Sequence, residues 1–128
     1  MAEVVLDAGA VSYLAKPSRF CASMILELRE DGRWPPAVPS IVLVECLQGH
    51  PGRDANTNRF LRTCDVVEEI PEALARRAAF LRTRARRGSA VDALVVALAE
   101  PGGMVLTSDP ADLIALAARA DGVRIQRV

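Results

Sequence analysis

Apolar residues along this chain come in short runs divided by turn-forming residues, and strand-like runs alternate with helical ones. Glu3–Leu6 has the character of a short buried strand, and Ala8–Leu14 follows as a small-residue turn entering a helix. Across Arg19–Glu30, Phe20, Met24 and Leu28 recur at helical spacing with Ile25 alongside, and Asp31-Gly32 ends the segment. Trp34-Pro35-Pro36 reads as a connector and Ala37-Val38 as a very short strand. Ser40 then stands as N-cap of a helix through Gln48, stopped by Gly49. Asn56–Thr63 predicts a helix and Val66–Ile70 a strand. Pro71–Arg87 predicts a long helix with Leu74, Ala78, Leu81 and Ala85 as its inner face and Gly88 as its stop. Ser89–Glu100 predicts another, ended by Pro101-Gly102-Gly103. Met104–Thr107 is strand-like, Asp109–Ala120 helical, and Val123–Gln126 a last strand after Asp121-Gly122. This alternation implies one α/β domain over residues 1–128, a three-layer α/β/α arrangement with a mainly parallel central sheet. Ligands of such sheets bind outside the carboxyl ends of the strands.

Composition narrows the classes. With 51% hydrophobic and 25% charged residues in 128, the chain has ample material for one core and is not disordered. Aromatics make up only 4%, so that core is built from Ala, Val, Leu and Ile. The longest unbroken apolar run, Ala93–Ala99, falls far short of the roughly 18 residues of a membrane span. MAEVVLD carries no basic region or cleavage-like segment, so the expectation is a cytoplasmic protein. Cys21, Cys46 and Cys64 are odd in number and form no CxxC pair, which agrees with a reducing compartment. With the single His50 they match no zinc finger or ribbon spacing. As the only histidine, His50 excludes paired-histidine catalysis within one chain, and its place in the turn Gly49-His50-Pro51-Gly52 reads as a solvated loop. Carboxylates or a metal must run any active site.

Three acids each stand alone in an apolar segment: Asp7 in Val4–Val11, Glu45 in Ile41–Leu47, and Asp92 in Ala90–Ala99. The last two segments read as helices apolar all round, so their acids are expected to be buried or nearly so. Desolvating an unpaired carboxylate costs several kcal/mol, about enough to neutralise it. A chain that accepts this three times is best explained by use of the charges, most simply on a divalent cation. All-oxygen donors suit Mg²⁺ or Mn²⁺ rather than zinc. Asp7 follows the first strand and Asp109 follows Met104–Thr107. If those strands are neighbours, the two acids meet where the sheet rule puts a ligand. Structural roles stand beside these. Asp92 is spaced from Ser89 as in a capping box, and Asp109 precedes Pro110 as an N-cap does. Glu45 can pair with a buried arginine, and Asp7 can cap the next turn.

Formal net charge is zero, yet Lys16 is the only lysine among sixteen basic residues. Arg76, Arg77, Arg82, Arg84, Arg86 and Arg87 crowd residues 72–87 against one acid, Glu72. They read either as a solvated face or as a band of guanidinium groups suited to phosphate, with Arg82, Arg84, Arg86 and Arg87 the RNA-binding candidates.

Taken in order, VVLDAGA, PSIVLVECLQG, VDALVVALA and VLTSDPADL resemble the PIN-domain family, specifically the VapC-type toxin ribonucleases. The likeness spans nearly the whole chain and rests on order and spacing rather than on one motif. It implies a PIN-like fold and RNA cleavage dependent on one or two Mg²⁺ or Mn²⁺ ions. The family's metal-binding and catalytic acids then fall on Asp7, Glu45, Asp92 and Asp109, with Thr107, Ser108 and Asp112 as auxiliaries. It further implies a small cognate antitoxin, and a homodimer or toxin–antitoxin hetero-oligomer. Gly9 departs from the pattern, since many members carry Ser or Thr there. Two other classes remain. One is a non-catalytic RNA-binding or regulatory module on the same fold. The other is a phospho-acceptor domain, disfavoured because Lys16 follows the first strand instead of a later one.

Overall fold

The computed structural model describes residues 2–128. Five strands form one parallel sheet: β1 (Val4–Leu6), β2 (Ala37–Pro39), β3 (Asp65–Val67), β4 (Met104–Thr107) and β5 (Arg124–Arg127). Their spatial order is β3-β2-β1-β4-β5. The helices are α1 (Ala8–Leu14), α2 (Arg19–Glu30), α3 (Leu43–Cys46), α4 (Ala55–Leu61), α5 (Glu72–Ala85), α6 (Ala90–Leu98) and α7 (Ala111–Ala117).

From β1 the chain first moves one way to β2 and β3, then crosses back to β4 and β5. Right-handed crossovers running in opposite directions place their helices on opposite faces of the sheet. Accordingly α1 packs with α2, α3 and α4, whereas α5, α6 and α7 pack with one another. The fold is a three-layer α/β/α sandwich, as the alternation of elements implies.

The adjacent strands β1 and β4 are buried throughout, and apolar except for Thr107, because both of their faces are covered. Val5, Leu6, Val105 and Leu106 are buried, and Val11, Leu81, Val95, Val96, Leu113 and Leu116 close over them from the helices. Val4, Val5 and Leu6 lie in register with Met104, Val105 and Leu106. Truncating such a residue, Leu81→Ala for instance, costs about 2–5 kcal/mol.

Boundaries differ from the sequence reading where turn chemistry decides. The segment expected as one helix over Ser40–Gln48 is a 3₁₀ turn, Ser40–Val42, followed by the single turn of α3. Ser40 does not cap it, because the extended Pro39 ends β2 and occupies the cap position. Helix α5 stops at Ala85, with Arg86 as a left-handed C-cap, ahead of the expected Gly88. β3 begins at Asp65 and ends at Val67, and α7 is shorter at both ends than Asp109–Ala120. α2 matches its predicted range, capped by Ser18, whose hydroxyl accepts the Cys21 N–H.

Candidate functional site

The sheet's order reverses between β1 and β4, so the carboxyl ends of these adjacent strands flank the crevice where α/β sheets place ligands. Asp7 is the first residue beyond β1, and Ser108 and Asp109 are the first beyond β4. The condition set by the sequence is met: the two strands are neighbours.

Asp7 is partly buried and caps α1, its Oδ1 accepting the Ala10 N–H at 2.8 Å. Its Oδ2 accepts the hydroxyl of the fully buried Thr107 at 2.5 Å. That hydroxyl also accepts the Asp109 N–H at 3.0 Å, which ties the β4 exit to the β1 exit. The Asp7 carboxyl is held above its ordinary pKa, chiefly because burial penalises the charge. The Thr107 and Ala10 hydrogen bonds oppose that rise, and the negative charges of Asp92 and Asp109 add to it. Three carboxylates from β1, α6 and the β4 exit therefore share one electrostatic neighbourhood.

Asp92 is half-buried on the first turn of α6 and forms the expected capping box with Ser89. Asp92 Oδ2 accepts the Ser89 N–H at 3.1 Å, and Ser89 Oγ accepts the Asp92 N–H at 3.0 Å. The capping role and a place near Asp7 thus hold together. Asp109 is exposed, and its side chain makes no cap bond to α7. Its carboxylate is uncommitted.

Two acids are placed differently from expectation. Glu45 is exposed rather than buried, because its segment is one short turn whose residue Val44 is 75% exposed. Glu45 sits on the same carboxyl edge, in the turn after β2, and α3 packs on α1. No hydrogen bond or ion pair joins it to Asp7 among the described residues. Asp112 is taken up by Arg87, whose guanidinium reaches its Oδ1 at 2.9 Å. Among the described residues, no group of three or more His, Cys, Asp or Glu side chains is closed up into a ready coordination set.

Gly9 has a local cause. A Cβ at position 9 would collide with Ser108 Oγ, so the β4 exit brings its own hydroxyl into the space a side chain on α1 would fill.

The arginine band divides into four fates. Arg76 pairs with Glu72 one turn away on the open surface. Arg77 makes a bidentate pair with Glu100, at 2.8 and 2.7 Å, and Glu100 also accepts the Asp121 N–H. Arg77 therefore clamps α5 to the turn after α6. Arg84 lies over the Phe80 ring, 4.9 Å from its centre. Only Arg82, Arg86 and Arg87 converge, and with Thr83 and Gly88 they line an open cleft. Thr83 was not singled out in the sequence, and Gly88 was read only as a helix stop.

Asp54, also missed, is a buried carboxylate that gathers the backbone N–H groups of Gln48, Gly49 and His50 at 2.8–3.2 Å. Those bonds, that of Gln48 foremost, hold its pKa below the usual range. His50 is an exposed turn residue whose Nδ1 accepts the Arg53 N–H. Cys64 is pushed up to about 11 by burial and is an inert thiol.

No family model matches the chain, and comparison with curated proteins gives no match. Among the described residues, no helix is long and apolar enough to cross a membrane. Among solved structures the chain is similar to PAE2754 from Pyrobaculum aerophilum, with a TM-score of 0.64 and 17% sequence identity. The likeness covers 97% of this chain and 90% of that one, and at this identity it speaks for the three-layer fold alone.

Proposed function

We propose that this protein is a Mg²⁺- or Mn²⁺-dependent endoribonuclease of the PIN-domain, VapC-type toxin class, working in the cytoplasm. The observation that carries the reading is the half-buried Asp7 at the strand-order reversal, its charge opposed by burial and by Asp92 and Asp109. A fold keeps such a repelling set when a cation relieves it. The donors fit one or two hard divalent ions: all are carboxylate oxygens, and the free Asp109 side chain can turn toward Asp7. A bound ion supplies a water of lowered pKa and charge neutralisation at the scissile phosphate.

This chain's own residues do the rest. Thr107 holds the rotamer of Asp7 by donating to Oδ2, and that bond opposes the rise in its pKa. The Ser89 backbone N–H holds the Asp92 carboxylate in place. Ser108 offers the crevice the hydroxyl that position 9 lacks. Glu45, on the rim, contributes charge at longer range. The arginine cleft, next along the chain from Asp92, suits phosphate positioning. Its existence also favours a second reading, a non-catalytic RNA-binding module, since the cleft needs no acid to work.

The class brings a partner with it. An acidic crevice open to RNA also accepts a cationic side chain from a small antitoxin, which would block metal access. Met24, Ile25 and Leu28 of α2 face this protein's own core, so that surface offers a partner only Phe20 and Leu26. Assembly as a homodimer or a toxin–antitoxin hetero-oligomer belongs to the same proposal. Incubation with total RNA in Mg²⁺ and then in chelator tests the activity: cleavage in the first and none in the second supports the nuclease. Intact RNA in both leaves the binding module. Co-expression with the neighbouring reading frame should relieve toxicity and yield a co-purifying complex.

A further inference from the structure

The cleft at the end of α5 has a chemistry of its own. Arg82, Arg86 and Arg87, with Thr83, Ala79 and Gly88, line about 410 Å³ of open space, and no carboxylate is among the lining residues. Arg87 is partly neutralised by Asp112, at 2.9 Å. Arg82 donates its Nε to the Gly88 carbonyl at 3.1 Å, which leaves its terminal nitrogens free. Among the described residues, Arg82 and Arg86 have no ion-pair partner. Converging guanidinium groups repel one another until an anion joins them.

Backbone geometry adds an independent sign. Arg86 has φ 55 and is the only non-glycine residue with positive φ among those described. Helices usually give this C-terminal position to glycine, which adopts it without steric cost. Here a long cationic side chain is retained at the cost of strain, and it points to use of that side chain.

The cleft also adjoins the acids. Gly88 has φ +89, and a Cβ there would lie 2.7 Å from Leu116 Cδ1 and 3.6 Å from Asp92 Cβ. The floor of the cleft is thus in contact with the first turn of α6.

We propose that this cleft seats one phosphodiester of a single-stranded nucleic acid, gripped by Arg82 and Arg86 with the Thr83 hydroxyl, so that a neighbouring phosphate meets Asp92 and Asp7. Arg87, braced by Asp112, sets the wall between the two sites. Arg84 takes no part, because its guanidinium is engaged by Phe80. The choice of RNA as the strand rests on the nuclease reading, whereas the phosphate chemistry does not.

The test is fluorescence anisotropy of a labelled single-stranded oligoribonucleotide with the full chain in chelator, titrated at several salt concentrations. Replacing Arg82 and Arg86 together by Gln should weaken binding about tenfold or more. The slope of log affinity against log salt should become shallower by about 1.4, two single-strand phosphate contacts' worth. Arg86→Gly should lose affinity while melting no lower than the wild type, which separates lost grip from lost fold. Arg84→Gln should stay within about twofold of wild type, a change too small to reflect a phosphate contact. Unchanged binding by the Arg82/Arg86 variant, or an equal loss on Arg84→Gln, would overturn the proposal in favour of a diffuse basic surface. Failure of the two readings is distinguishable. These arginine effects without cleavage in Mg²⁺ sink the nuclease and keep the cleft; cleavage with unchanged arginine-variant binding does the reverse.

Discussion

Asp7 and Asp54 are both carboxylates withdrawn from solvent beside a helix start, and the fold treats them in opposite ways. Asp54 is surrounded by donors: three backbone N–H groups of the Gln48–His50 turn close on it and hold its pKa down. Asp7 has two donors, Ala10 N–H and Thr107 Oγ, and two acids nearby, and its pKa is held up. The first arrangement satisfies the charge and stabilises a loop. The second leaves a charge that the folded protein alone does not balance. Burial by itself therefore does not single out an acid; burial among like charges at a strand-order reversal is what makes Asp7 the candidate.

The contrast has a definite pH signature. Because the folded-state pKa of Asp54 is depressed, its contribution to stability is present above the unfolded aspartate pKa and is lost as pH falls through the folded value. For Asp7 the folded value is raised, so the native state binds the extra proton. Stability then declines as pH rises from the unfolded value through the raised one, and no penalty remains below both.

The largest effect is expected from removing the unbalanced charge. Asp7→Asn should lower Mg²⁺-dependent RNA cleavage by about a thousandfold, the scale of losing a preorganised electrostatic group. Melting in chelator should be as high as wild type at neutral pH, since the penalised charge is gone. Asp92→Asn should show a comparable kinetic loss. Asp54→Asn is the mirror image: Tm should fall by several degrees near neutrality, with cleavage per folded molecule unchanged. A stable Asp54→Asn, or an Asp7→Asn that cleaves normally, erases the distinction.

Thr107→Val keeps the shape of the side chain but removes the donor to Asp7 Oδ2. It should cost about 1–3 kcal/mol of stability. The acid limb of the cleavage pH profile should also move upward, because a bond that lowers the Asp7 pKa is lost. An unmoved limb would show that Asp7 is not the group titrating in it. Glu45→Gln, at an exposed position, should lower cleavage by only about tenfold, a longer-range electrostatic loss.

The smallest effect concerns the hydroxyl beside Gly9. Ser108→Ala should reduce cleavage a few-fold, and Gly9→Ser alone should destabilise through its clash with Ser108 Oγ. Combining Gly9→Ser with Ser108→Gly should recover stability and activity together, a coupling that a double-mutant cycle measures directly.

How much of this was legible follows from where each signal lives. Asp7 and Asp92 were readable because a lone charge in an apolar run is improbable without a use, and the strand order placed Asp109 beside Asp7 as the sheet rule requires. The depth of Glu45 was not readable. A seven-residue apolar run does not fix the phase of a helix, and this one breaks into two short turns that turn Val44 and Glu45 outward. Nor was the end of α5: Gly88 carried the usual stop signal, yet the left-handed residue is Arg86. Sorting the arginines needed tertiary contacts, because Glu100 and Asp112, which take up Arg77 and Arg87, lie outside α5, whereas the contacts of Arg76 with Glu72 and of Arg84 with Phe80 follow helical spacing. Asp54 had a local signal, an acid just after the Gly49-His50-Pro51-Gly52 turn and before a helix.

The most direct test of the central claim is a thermal-shift titration of wild type and Asp7→Asn with Mg²⁺ and Mn²⁺. If the crevice holds its repelling carboxylates for a cation, the wild-type Tm rises with ion concentration, following the mass-action relation for a ligand of the native state. The Asp7→Asn protein should start at least as high in chelator and rise far less. A wild-type Tm indifferent to both ions, or an equal rise in the variant, would contradict the account.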